Sequence, residues 1–158
     1  MACFADDVLM GVKVVRSKRK LFMKNMKKLG KTSVKVGIQG ADARKTRESG
    51  ITMAELGAVH EFGSDNIPQR PFLRPVVSEK KHARAIRKTY KGMRTLKKAS
   101  IEQSLGAAGE KAVNIAQKRI ADGIEPANAQ STIDAKGSSK PLIDTGRMRQ
   151  SITWKLED

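Results

Sequence analysis

The chain has 158 residues, 39% of them hydrophobic and 4% aromatic, which fits one domain with a small core. Lys and Arg number 32 against 16 Asp and Glu, a net charge of +16 that favours a polyanion or an acidic protein surface as partner. The single cysteine, Cys3, excludes an internal disulfide, and two histidines without a cysteine partner leave no metal cluster to assemble from spacing.

The charge excess is uneven. Residues 1–50 hold 13 basic and 4 acidic side chains, residues 51–100 hold 11 and 4, and residues 101–158 hold 8 and 8. All of the excess therefore sits in the first two thirds. The opening MACFADDVLM has no basic n-region and no useful apolar run, so no signal peptide is expected, and no stretch approaches a membrane span. A protein folded in a reducing cytosol is the expectation.

In chain order, Val12 and Val14 form at most a short strand. Ser17 precedes RKLFMKNMKKL, a helix with Leu21, Phe22, Met26 and Leu29 inward, stopped by Gly30. Its basic side, Arg16, Lys18, Arg19, Lys20, Lys24, Lys27 and Lys28, suits DNA or an acidic surface, and as a solvated face would only confer solubility. Ser33 to Gln39 alternates Val34, Val36 and Ile38 with polar or small residues, the pattern of a half-buried strand. Residues 40–50 are polar and read as a mobile loop, with no Gly-Lys-Ser/Thr phosphate cradle.

Thr52 and Glu55 form a capping box, and Met53, Leu56, Val59 and Phe62 give the following helix its apolar face. Gly63 suits a left-handed C-cap. Ser64, Asp65 and Asn66 make a turn, and Ile67 to Pro75 runs as an extended arm stiffened by three prolines. Ser78 to about Lys98 is a helix with an apolar stripe of Ala83, Ile86, Tyr90 and Met93 that continues to Lys97. Its other face is almost wholly basic and includes Arg87 and Lys91. Ser100 and Gln103 form a second capping box. It opens a helix with Ile101, Leu105, Ala108, Ala112, Ile115, Ala116 and Ile120 on one stripe, ended by Gly123. The run Gly106 to Gly109 lowers helix propensity but admits close packing against a sheet or a neighbouring subunit. Residues 124–142 have no strong period and read as a loop that orders on assembly. Asp144 caps a short helix from Thr145 to Ser151, and Ile152, Trp154 and Leu156 alternate as a final strand. The sum is an α+β fold: a small mixed or antiparallel sheet covered by two longer helices.

No catalytic constellation stands up. Asp144-Thr145-Gly146 after Leu142-Ile143 matches the string of retroviral-type aspartic proteases. Only 12 residues follow Gly146, too few for the flap and strands such a protease needs, and a capping Asp explains the string. His60 and Glu61 are neighbours on a helix and point about 100° apart, so they share no face. His82 has no acidic neighbour in sequence beyond Glu79. Neither an enzyme nor a bound cofactor is expected. Along the arm, Arg70, Phe72 and Arg74 alternate. An aromatic anchor between arginines on a stiff segment suits an interaction hot spot, and a loop that tucks Phe72 into its own core accounts for the same residues.

Two blocks carry a family resemblance. GAVHEFGSDNIPQRPFLRP, within Gly57 to Pro75, and PLIDTGRMRQSITW, from Pro141 to Trp154, resemble the neck or tail-completion proteins of tailed bacteriophages, in the family's order and over about a quarter of the chain. The resemblance implies a homo-oligomeric ring, sixfold in the family, joining the head connector or adaptor to the tail terminator or tail tube. Genomic DNA would pass through the centre, in the virion neck and in the host cytoplasm during assembly. It favours His60, Glu61, Phe62, Arg70, Pro71, Phe72, Arg74 and Pro75 as subunit or partner contacts. Thr52, Gly63, Asp144, Thr145 and Gly146 then serve as caps and turns. The competing class is a small basic nucleic-acid-binding protein. It lacks a helix-turn-helix, a zinc finger and stacking aromatics.

Overall fold

A computed structural model describes residues 19–44, 46, 50–95, 99–137 and 139–157. These divide into two compact units, one holding residues 19–33 and Glu157, the other Val34–Leu156. The basic positions Arg16 and Lys18 lie outside the described residues, as does Lys97.

The first unit contains helix α1, described over residues 19–29. Gly30 donates to the Met26 carbonyl at 3.0 Å, and the Thr32 hydroxyl donates to the Lys28 carbonyl at 3.1 Å, which closes the helix end. Leu21, Phe22 and Met26, expected to face inward, are exposed, while Leu29 is half-buried. Arg19, Lys20, Lys24, Lys27 and Lys28 are exposed as well, so apolar and basic side chains alike face outward on this helix.

The second unit is built in the order β1 (Ser33–Ile38), α2 (Gly40–Arg44), α3 (Met53–Phe62), α4 (Arg74–Ser78), α5 (Lys80–Thr95), α6 (Ile101–Asp122), α7 (Gln130–Lys136), α8 (Arg147–Gln150) and β2 (Ile152–Glu157). The class is α+β, as the sequence pattern implied: β1 and β2 pair antiparallel in a two-stranded sheet, with two long helices packed against it. Two strands alone are marginal in water, so the sheet depends on the helices that cover it. The alternation holds on β2 and over Ser33–Val36 of β1, but Gly37, expected on the outer side, is the buried residue of β1, while Val34, Val36 and Ile38 are half-buried. Thr153 and Lys155 are exposed while Ile152 is buried and Trp154 and Leu156 are half-buried.

Both capping boxes form. The Thr52 hydroxyl accepts from the Glu55 amide at 3.3 Å while the Glu55 carboxylate accepts from the Thr52 amide at 2.8 Å. These bonds hold the Glu55 carboxyl below the usual range, the Thr52 backbone bond contributing most. Ser100 and Gln103 repeat the arrangement at α6. Each box satisfies two donors that an α-helix start leaves orphaned.

The core of this unit is built on α6. Ala112, Val113, Ala116 and Ile120 meet Met53 of α3, Phe72 and Val76 around α4, and Leu142, Met148 and Ile152 near the C-terminus. Both blocks that carry the family resemblance thus contribute to one cluster. On α6 the buried side is shifted from the expected stripe: Leu105 and Ile115 are half-buried, while Ser104, Gly106, Gly109 and Val113 are buried. The cause is Trp154, which lies against the glycines. A Cβ on Gly106 would sit 2.8 Å from Trp154 Cη2, and one on Gly109 would sit 2.9 Å from Trp154 Cγ and Val34 Cγ1. Of the two uses open to the small-residue run, the described contacts realise close packing against the sheet.

That geometry makes a test. Gly109→Ala is expected to cost about 1 kcal/mol net, because overpacking of about 1–3 kcal/mol exceeds the helix-propensity gain of about 1 kcal/mol. Gly92→Ala on α5, where nothing lies within 4 Å of the new methyl, is expected to add about 0.5–1 kcal/mol. Urea melts of both variants check the pair, and equal gains would mean the helix–sheet contact yields freely.

Four local expectations are corrected. The arm is not extended to Pro75: it bends at Phe72 and Leu73, and Arg74–Ser78 is helical with Pro75 in the first turn, where proline costs nothing. The segments read as loops each hold a short helix, α2 within 40–50 and α7 within 124–142. Gly63 has positive φ but an extended ψ of 174°, so it ends α3 without adopting the left-handed helical conformation. Asp144 does not cap α8. Its N-cap residue is Gly146 at φ 75°, which has no side chain to cap with, and Thr145 lies outside the helix that was expected to begin there.

Candidate functional site

The stretch from His60 to Glu79 holds most of the residues singled out in the sequence. Its conformation is set by three charged side chains. Glu61 is the first. It is 5% exposed, and its carboxylate accepts three backbone hydrogen bonds, from Phe72 at 2.8 Å, Leu73 at 2.9 Å and Arg74 at 2.7 Å. These amides open α4, whose own N-cap residue, Leu73, offers no side-chain acceptor. A carboxylate from α3 therefore does the work of an N-cap for α4, at the end of a helix where negative charge is favourable.

Arg70 is the second. It is buried, and its guanidinium donates to the carbonyls of Pro126 at 2.7 Å and Ala127 at 2.9 Å, while its backbone amide donates to the His60 carbonyl at 2.8 Å. Arg119 of α6 is the third. It donates to the Pro71 carbonyl at 3.0 Å and pairs with Glu79 at 3.2 Å. Glu79 also meets Lys81 at 3.0 Å, and this hydrogen bond is the main reason its carboxyl lies below the usual range. Before the arm, Ser64 and Ile67 exchange backbone bonds of 2.9 and 3.1 Å around the Asp65-Asn66 turn.

Phe72 lies at the centre of this clamp with 0% exposure. Of the two readings of the arm, the structure has Phe72 in its own core. Glu61, Arg70 and Pro75 are buried with it, and His60 and Pro71 are half-buried. Phe62 and Arg74 stay outside. Phe62 is 68% exposed, and the Arg74 guanidinium lies 5.4 Å from the centroid of its ring. Val77, one turn beyond Arg74, is 71% exposed. Sequence reasoning missed Val77. The signal was available, since Val76 and Val77 on a short helix cannot both face the core.

The basic helix α5 is the second candidate surface. Lys80, Lys81, Arg84, Arg87, Lys88, Lys91 and Arg94 are all exposed, and no Asp or Glu occurs in the helix. At about 100° per residue these seven project within an arc of roughly 140°. The apolar residues Ala83, Ile86, Tyr90 and Met93 share the opposite side and are half-buried, and α5 packs along α6. The helix thus carries one continuous cationic face.

A third feature is an open groove of about 810 Å³ where the end of α5, α6 and β2 meet. Its lining includes the apolar Met93, Ala107, Trp154 and Leu156 and the polar Glu102, Gln103 and Glu110. The Trp154 indole donates to Glu110 at 2.9 Å, which fixes the ring in place.

Among the described residues, no group of three or more His, Cys, Asp or Glu could hold a metal ion, and no helix is long and apolar enough to cross a membrane. His82 Nδ1 lies 3.1 Å from the Pro75 carbonyl, to which it donates when that nitrogen carries the proton, and sits 3.5 Å from Glu79, so it belongs to the α4–α5 junction. Asp144, Thr145 and Gly146 form the turn that leads into α8. No family model matches this chain, and no curated protein and no solved structure matches it significantly.

Proposed function

We propose that this chain is a structural subunit of the head–tail junction of a tailed bacteriophage, where copies form a ring around the DNA channel between head connector and tail. The two resembling sequence blocks supply the setting, and their joint contribution to one core agrees with a single working body. The observation that carries the reading is the cationic face of α5. Seven exposed basic residues in one arc, on a helix that has no acidic residue and with Lys81 paired to Glu79 at its start, form a surface for the phosphate backbone or for an acidic neighbour.

The test is binding to random duplex DNA as a function of salt, with mass measured in parallel by light scattering. Arg84→Glu, Arg87→Glu and Lys91→Glu together are expected to lower affinity at least ~10-fold at low salt and to flatten the salt slope, since each lost phosphate contact removes about one unit of slope. An unchanged slope would remove α5 from the DNA-facing surface. The competing reading, a stand-alone nucleic-acid-binding protein, rests on the same face. It is favoured if the protein binds DNA as a monomer and never forms a particle of defined size.

A further inference from the structure

Two of the seven cations on α5 are already engaged: Lys81 pairs with Glu79, and Arg94 donates to the Ala99 carbonyl at 3.0 Å. The other five, Lys80, Arg84, Arg87, Lys88 and Lys91, form no ion pair or hydrogen bond with any described residue, and all are exposed. At about 100° per residue they fall within an arc of roughly 100°, along roughly 17 Å of helix. Lys80 and Arg84, Arg84 and Lys88, and Arg87 and Lys91 stand four residues apart, a spacing at which like charges repel and weaken a helix. No acidic residue in the first turn of α5 offsets this. The stretches outside the described residues are net basic themselves, with seven Lys or Arg against Asp6, Asp7, Glu48 and Asp158. The face thus carries a repulsion that a row of external anions relieves.

The composition of the arc selects the anion. Every α5 residue within it is Lys or Arg except Thr95. A specific protein interface centres on apolar or aromatic anchors and is depleted in Lys, and this arc offers no such anchor. A single nucleic-acid strand is held by bases stacked on aromatic side chains. The one aromatic residue of α5, Tyr90, is half-buried on the opposite side. Duplex DNA needs neither. It presents a phosphate charge every ~1.7 Å of axis, and cations that neutralise those charges gain affinity by releasing counterions, whatever the sequence. We infer that Lys80, Arg84, Arg87, Lys88 and Lys91 bind the phosphate backbone of double-stranded DNA without reading its sequence. The inference rests on the reading of α5 as the binding surface, and it narrows the two anions left open there to one.

The experiment titrates the full chain, by fluorescence anisotropy over a range of KCl, against three probes: a random-sequence DNA duplex, one of its strands alone, and poly-L-glutamate. Wild type is expected to bind the duplex at least ~10-fold tighter than either other probe, and duplexes of unrelated sequence within ~2-fold of one another. A variant carrying Lys80→Gln, Arg84→Gln, Arg87→Gln, Lys88→Gln and Lys91→Gln is expected to lose at least ~100-fold in duplex affinity at low salt. Its salt slope is expected to shrink by about four units, at about 0.9 per contact. Its melting temperature is expected not to fall, since like-charge pairs are removed and Gln suits a helix. Poly-L-glutamate bound as tightly as duplex overturns the choice of phosphate and leaves an acidic neighbour as the partner. A single strand bound as tightly as duplex overturns the choice of double-stranded DNA. An unchanged slope in the variant, or binding to none of the probes, overturns the inference as a whole. Light scattering on the same samples separates these failures from that of the head–tail reading. A particle of defined size that fails the probe tests keeps the ring and loses this inference, and a monomer that passes them keeps the inference and loses the ring.

Discussion

Phe72→Ala is expected to destabilise the protein by about 3–5 kcal/mol, the usual cost of removing a fully buried aromatic ring and leaving a cavity. Phe72 has no exposed surface and sits in the cluster that joins α3, α4, α6 and the C-terminal strand. The site cannot collapse easily. Backbone on one side is tied by Glu61, and on the other the Pro71 carbonyl is held by Arg119. A domain of this size has a total stability of about 5–15 kcal/mol, so the variant loses a large share of it. At about 2–4 °C per kcal/mol, the melting temperature is expected to fall on the order of 10 °C. Thermal and urea melts followed by circular dichroism check this. A fall of less than ~1 kcal/mol would mean that the ring is not the keystone of the core. Loss of assembly in this variant reports on folding, because Phe72 is part of the core.

Glu61→Ala is expected to cost a comparable amount, about 3–5 kcal/mol, because three backbone amides lose their acceptor at once. Each unsatisfied buried donor costs about 1–3 kcal/mol, and the three are coupled, so the sum falls short of simple addition. Glu61→Gln is expected to cost less. Its amide oxygen replaces one carboxylate oxygen, while its NH₂ group opposes a backbone N–H. Hydrogen exchange gives a local readout. The amides of Phe72, Leu73 and Arg74 are expected to be protected in the native protein and to exchange far faster in Glu61→Ala. Protection that persists in the variant would assign the ordering of α4 to packing alone. Together the two variants separate the apolar and polar halves of one device: the ring fills the core, and the carboxylate fixes the chain that carries the ring.

The parts of the fold written in the sequence are those decided by residues within a turn of one another. The Thr52–Glu55 and Ser100–Gln103 boxes close over three residues, and both helices begin where those residues place them. The alternation in β1 and β2 is a property of each strand alone, and the buried and exposed positions follow it except at Gly37, which is buried. The small residues of α6 announced close packing, although the side chain that fills the space, Trp154, is 45–48 residues away. The short helix α4 had a legible start in Pro75, a residue suited to the first turn, but the arm's three prolines read more strongly as extended chain. Asp144 was the expected cap of α8 because an acidic residue before a helix is the common solution, and Gly146 took the position through a positive φ.

The sequence by itself determined the α+β class, both capped helices, the two alternating strands and the cationic side of α5, because each depends on local spacing. Only the tertiary structure decided what the arm does. Glu61, Arg70 and Phe72 were charged or aromatic residues of a kind that suits a partner. Their burial follows from hydrogen bonds to chain 11–13 residues further on, for Glu61, and 56–57 residues further on, for Arg70. A buried charge persists only where such acceptors or donors surround it, and no local pattern specifies that they will meet.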